Sequence, residues 1–151
     1  MISGVVVRPL KRIKDSRGEV RHMLKRSDPS YTRFGEIYFS VVNPGWVKGW
    51  HIHTRMTLNY AIVSGKAQLV LYDARTRSKT RGKFQKFVLS LDNYFLVTIP
   101  PGVWNGFKGL GKEPAVVANC ATHEHDFKEI LRLDPFGTDI PYDWGKCKGG
   151  C

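Results

Sequence analysis

A chain of 151 residues, 42% hydrophobic and 12% aromatic, has the apolar material for one globular domain and is too short for two full-sized ones. No apolar run approaches the roughly 20 residues of a membrane-spanning helix, and the opening Met-Ile-Ser-Gly-Val-Val-Val-Arg-Pro-Leu has no basic segment ahead of a long apolar stretch, so a soluble cytoplasmic protein without membrane association is expected. Lys and Arg outnumber Asp and Glu 24 to 13, and the formal net charge of +11 asks for an anionic partner.

The basic residues are spread from Arg8 to Lys148 without a run of five or six and without a finger, helix-turn-helix or RNP signature, which argues against nucleic acid. Phosphate-bearing small molecules fit the charge at least as well.

Taken in chain order, strand-like runs occupy residues 4–10, 19–25, 36–42, 47–53, 58–63, 67–73, 83–89, 95–99, 104–110 and 115–121. Between them lie turn residues such as Asp15-Ser16-Arg17-Gly18, Asn43-Pro44-Gly45, Ser64-Gly65 and Pro100-Pro101-Gly102. Many short strands with regular turn punctuation predict a sandwich or barrel. One short helix is expected at residues 126–133, where Phe127, Ile130 and Leu131 fall at helical spacing. Residues 134–145 read as an irregular arm whose aromatics pack down, and 146–151 as a flexible Cys/Gly/Lys tail. Cys120, in an apolar run, is expected in the core; the tail pair Cys147 and Cys151 could bridge or bind a soft metal, and the simplest reading is a reduced, frayed end.

Mid-chain, Lys48-Gly49-Trp50-His51-Ile52-His53 carries two of the five histidines. Alternation along a strand puts His51 and His53 on one face. A second pair, His123-Glu124-His125, gives the chain four histidines that would line one pocket if the two segments meet. The competing reading is two unrelated edge pairs.

The His-x-His strand runs through a second strand into Gly65 and is followed by Pro100-Pro101-Gly102-Val103-Trp104-Asn105-Gly106, a pattern that resembles the cupin-type double-stranded β-helix. Residues 1–145 are accordingly expected to form a single cupin-like, all-β jelly-roll domain. With Asp15-Ser16-Arg17-Gly18, Val47-Lys48-Gly49-Trp50-His51, Tyr72-Asp73-Ala74-Arg75 and Ile140-Pro141-Tyr142-Asp143-Trp144 in their order, the chain resembles the dTDP-4-dehydrorhamnose 3,5-epimerase family and related sugar-nucleotide isomerases.

That resemblance implies a homodimer that binds a nucleoside-diphosphate sugar in the mouth of the roll and moves protons at carbons beside a C4 ketone, without a cofactor. It implies His51 as base, His125 at the position of the family's acidic tyrosine, and Arg17 and Lys48 on the diphosphate. His53 is similar to the second histidine of the sugar 3,4-ketoisomerases, and Trp104 and Asn105 fall where ligand is touched. The chain departs from the family pattern in carrying Leu58 at the position of the enolate-stabilising lysine and Asn105 at that of a histidine. It also lacks the segment that supplies the aspartate partner of the base. These departures leave two alternatives: a cupin that binds a nucleotide sugar or other anion without turning it over, and a metal-binding cupin built on the His-x-His pairs. The second has Arg55, Met56 and Thr57 where a metal-ligating Glu would fall.

Overall fold

The computed structural model describes residues 1–148. Its twelve strands are β1 (Val6–Pro9), β2 (Arg12–Asp15), β3 (Gly18–Arg21), β4 (Glu36–Val42), β5 (Val47–His53), β6 (Leu58–Ser64), β7 (Lys66–Asp73), β8 (Phe84–Ser90), β9 (Phe95–Ile99), β10 (Val103–Leu110), β11 (Ala115–Ala121) and β12 (Ile130–Arg132). Two five-stranded antiparallel sheets, in the orders β1-β9-β6-β11-β4 and β12-β5-β10-β7-β8, form the roll, and β2-β3 is a separate hairpin. This is the cupin-type jelly roll that the turn pattern predicts.

The core lies where inward side chains of both sheets meet. Leu58, Tyr60 and Ile62 of β6 and Val97 and Ile99 of β9 pack with Leu69 and Leu71 of β7 and Val103 and Phe107 of β10. Each such aliphatic or aromatic side chain contributes roughly 1.5–3 kcal/mol relative to exposure. At the corner between β6 and β7, Gly65 has φ +70°, and a Cβ there would lie 2.4 Å from the carbonyl oxygen of Pro114. Conformation and space both require glycine at this turn. Asp73, fully buried, accepts hydrogen bonds from Arg75 Nε (2.8 Å), Ser78 Oγ (2.6 Å) and Thr80 Oγ1 (2.6 Å), which pins the long β7–β8 connection to the end of β7.

Three expectations need correction. Among the described residues there is no helix: residues 127–129 form a turn, and Ile130–Arg132 then pairs antiparallel with β5. The second predicted strand, 19–25, ends at Arg21 and is one arm of a hairpin whose other arm, β2, the alternation did not reveal. The tail is held at its start: Lys148 N donates to Gly45 O at 2.7 Å, and Lys146 O accepts from Lys108 Nζ at 2.6 Å. Cys147 is disulfide-bonded rather than reduced, and Cys151 lies outside the described residues. Cys120 is partly buried. No helix among the described residues is long and apolar enough to cross a membrane.

Candidate functional site

Strand β5 lies between β12 and β10, so both its edges are paired and its side chains are held in a fixed frame. Asn105 of β10 faces His51 in register; its Nδ2 donates to His51 O at 3.0 Å, and its Oδ1 accepts the Tyr60 hydroxyl at 3.2 Å. Fully buried, Asn105 braces the backbone behind His51. Strand alternation then delivers both imidazoles to one face, with ring centroids 6.5 Å apart.

That face walls a cavity of about 760 Å³, within the range of small-molecule sites. Lys48, His51 and His53 line it from β5, and Arg132 from β12. The opposite wall is β4, whose alternation turns Glu36, Tyr38 and Ser40 inward. His125 completes one side. Lys48 Nζ reaches across to β4, donating to Ser40 Oγ at 3.1 Å and Val41 O at 3.2 Å.

The two histidines of β5 differ in their surroundings. Burial, followed by the electrostatic influence of His53 and of the cations Arg132 and Lys48, pushes His51 down to about 4, so its ring is neutral near pH 7. Among the described residues no hydrogen bond reaches that ring. His53 is 3% exposed, and its Nδ1 is hydrogen-bonded to Oε1 of Glu129, itself 3% exposed. The other carboxylate oxygen of Glu129 accepts from the backbone N–H groups of Thr54 (2.9 Å) and Arg55 (3.1 Å). Burial alone would raise the Glu129 carboxyl, but the bonds from His53 and from the backbone of Arg55 and Met56 hold it below the usual range. Tyr38 is pushed up from its ordinary value by burial.

Of the residues singled out in the sequence, the fold brings His51, His53, His125 and Lys48 together on the cavity. His123 is not on it; its Nδ1 bonds to Thr122 Oγ1 at 3.0 Å. Arg17 sits at the exposed tip of the β2–β3 hairpin, paired with Asp15 at 2.9 Å, and does not line its own chain's cavity. Trp104 packs instead with the cluster around Trp50, Val70 and Trp144. Leu58 is core, 2% exposed.

Among the site residues that escaped the sequence reading are Glu36, Tyr38, Glu129 and Arg132. The alternation Glu-Ile-Tyr-Phe-Ser-Val in β4 carried a signal for the first two, because its polar members share one face. Among the described residues no group of three or more His, Cys, Asp or Glu is placed to hold a metal ion. Asn105, where a metal-binding cupin carries its later histidine, is engaged by backbone and Tyr60.

Residues 1–148 match the sequence profile of the dTDP-4-dehydrorhamnose 3,5-epimerase family. Two relatives are each 32% identical to the chain. One is a probable low-salt glycan biosynthesis epimerase of Haloferax volcanii, aligned over 144 residues, 94% of this chain and 89% of the relative. The other is a spore coat polysaccharide biosynthesis protein of Bacillus subtilis, aligned over 146 residues, 95% of this chain and 97% of the relative. The crystal structure of a dTDP sugar isomerase from Desulfovibrio desulfuricans superimposes with a TM-score of 0.92 at 41% identity, covering 95% of this chain and 92% of that one.

Proposed function

Because the chain belongs to the dTDP-4-dehydrorhamnose 3,5-epimerase family, we propose that it is a sugar-nucleotide epimerase or isomerase acting on a 4-keto nucleoside-diphosphate hexose. The observation that carries this reading is the paired imidazoles of His51 and His53 in a cavity flanked by the cations Lys48 and Arg132. Removing a proton beside a ketone needs a neutral base within reach of the C–H bond and positive charge near the oxygen on which the enolate develops. A neutral imidazole supplies the first. With Leu58 in the core, the cationic side chains on the cavity wall are Lys48, Arg132 and Lys148, available to the diphosphate and to the enolate oxygen. His125 and Tyr38 are the groups on the wall able to return a proton from another direction.

The protein acts, in this proposal, as a homodimer. Arg17 does not line the cavity of its own chain, so a role on the diphosphate requires it to reach the cavity of a second subunit.

Incubation with dTDP-4-dehydrorhamnose in heavy water, followed by proton NMR, tests the proposal. Deuterium entering at C3 or C5 at an enzyme-dependent rate supports it. Measurable binding of 4-keto nucleotide sugars with no exchange in any of them would replace it with the non-catalytic binding reading.

A further inference from the structure

Which imidazole takes the proton is not given by family position alone. His51, at the position that the resemblance assigns to the base, has no hydrogen bond to its ring among the described residues and sits beside three positive or ionisable neighbours that disfavour its protonation. His53, two residues on and lining the same cavity, has the supports that His51 lacks. Its Nδ1 is bonded to a carboxylate as buried as itself, and that carboxylate is fixed from behind by the N–H groups of Thr54 and Arg55. Its other ring nitrogen, Nε2, is buried and has no hydrogen-bond partner among the described residues. A buried ring nitrogen without a partner is a cost to folding that a native site carries for a reason.

We propose that His53 Nε2 is the base of this site and that Glu129 is the positioning residue that fixes its tautomer; the inference rests on the epimerase or isomerase reading above. Glu129, ionised, can only accept, so the Nδ1 proton is the shared one and the lone pair is left on Nε2. In the step, the Nε2 lone pair takes the proton from the carbon beside the ketone. The C–H electrons become the C=C bond of the enolate, and the carbonyl π electrons move to O4. The imidazolium that forms is stabilised by the Glu129 carboxylate already in contact with it. Delivery of a proton to the opposite face of that carbon, from His125 or Tyr38 on another wall of the cavity, inverts the centre as O4 becomes a carbonyl again, and the imidazolium releases its proton to solvent to restore the neutral ring. Glu129 thus fills the role that the resemblance gives to an aspartate.

The test compares His53→Asn, His51→Asn, Glu129→Gln and Glu129→Asp in deuterium exchange of dTDP-4-dehydrorhamnose. Gln at 129 can still accept the Thr54 and Arg55 N–H bonds but presents an amide N–H to Nδ1, which moves the ring proton to Nε2. His53→Asn should lower exchange by more than about a thousandfold, and Glu129→Gln by about a hundredfold or more through kcat with KM changed less than about threefold. Glu129→Asp should recover part of that loss, and His51→Asn should cost clearly less than His53→Asn. Nitrogen-15 NMR of the wild-type protein gives a readout that no substitution can confound: His53 should carry its proton on Nδ1 with Nε2 bare. Exchange that survives His53→Asn but not His51→Asn, or a wild-type His53 protonated on Nε2, overturns the inference while leaving the functional reading standing. Wild-type protein that exchanges no 4-keto nucleotide sugar overturns both.

Discussion

At the scale of single residues, His51 makes the site sensitive to acid. Its folded-state value of about 4 lies below the ordinary 6.5, because burial and the neighbouring His53, Arg132 and Lys48 disfavour the imidazolium. Between those values the unfolded chain binds a proton that the folded chain refuses, so stability falls as pH drops from about 6.5 to 4 and is fully retained above 6.5. Complete expression of that difference is on the order of 3 kcal/mol, less to the extent that the ring is reached by solvent. Denaturant titrations across this window should show a steeper loss for the wild type than for His51→Asn, whose curve should be flatter between pH 6.5 and 4. Parallel curves for the two proteins would mean that His51 is not held neutral by its surroundings. The histidine pair itself was legible in the sequence, because an i, i+2 spacing on a strand places two side chains on one face whatever the rest of the chain does. Glu129 was not, because a carboxylate 76 residues from its imidazole is brought there only by tertiary structure.

At the scale of elements, the same segment explains both a failed expectation and a missed residue. Phe127, Ile130 and Leu131 fall at helical spacing, yet Phe127 is 78% and Leu131 55% exposed, so that spacing never made a buried stripe. Two local forces go against the helix. The Asp126 side chain accepts the Lys128 N–H at 2.8 Å and favours a turn, and the edge of β5 offers backbone partners to Ile130, Leu131 and Arg132. The strand outcome aligns Arg132 with His51 and Ile130 with His53, which leaves Glu129 at the end of the ladder beside the His53 ring. Most other strands were legible because their turns are written locally in Gly and Pro. The position of β5 depends on glycine for a different reason: a Cβ on Gly49 would come within 2.9 Å of Gly106 Cα in the neighbouring β10, a backbone atom that cannot step aside. Gly49→Ala should therefore force β5 and β10 apart and destabilise the protein by about 1–3 kcal/mol. That corresponds to a lower Tm by several degrees for a chain of this size, and exchange activity should fall further than stability alone explains, because His51 and His53 ride on the displaced strand. Calorimetry and the heavy-water assay on one preparation check both parts. An unchanged Tm would show that the two strands have slack.

At the scale of the whole molecule, the cationic excess and the exposed apolar surface both point outward from the single chain. Strand β4 reverses the usual pattern: its polar residues face the cavity, while Ile37, Phe39 and Val41 are 53%, 59% and 48% exposed on the outer face at the edge of the first sheet. A shallow groove beside them is lined by Ala61, Val63, Ala118 and Tyr94. In the proposed homodimer this edge strand, with its apolar outer face, is the surface a second copy would cover, closing the edge and burying the stripe about a two-fold axis. Light scattering should give a dimer that persists in reducing agent, and Phe39→Glu should shift it toward monomer. Nucleoside diphosphates should raise the Tm of the wild type more than nucleosides do, with Lys48→Ala and Arg17→Ala each reducing that shift.

If Arg17 serves the neighbouring subunit, a stronger result follows. Arg17→Ala and His53→Asn proteins, each defective alone, should regain exchange activity when unfolded together and refolded as mixed dimers, because one of the two sites in each heterodimer then holds both an intact Arg17 and an intact His53. Random assortment makes half the dimers mixed, with one intact site in two, so about a quarter of the wild-type specific activity is the expected ceiling. Recovery near that level places Arg17 across the interface. No recovery, from a mixture shown by mass spectrometry to contain heterodimers, would return Arg17 to the surface ion pair with Asp15 in which the single chain holds it.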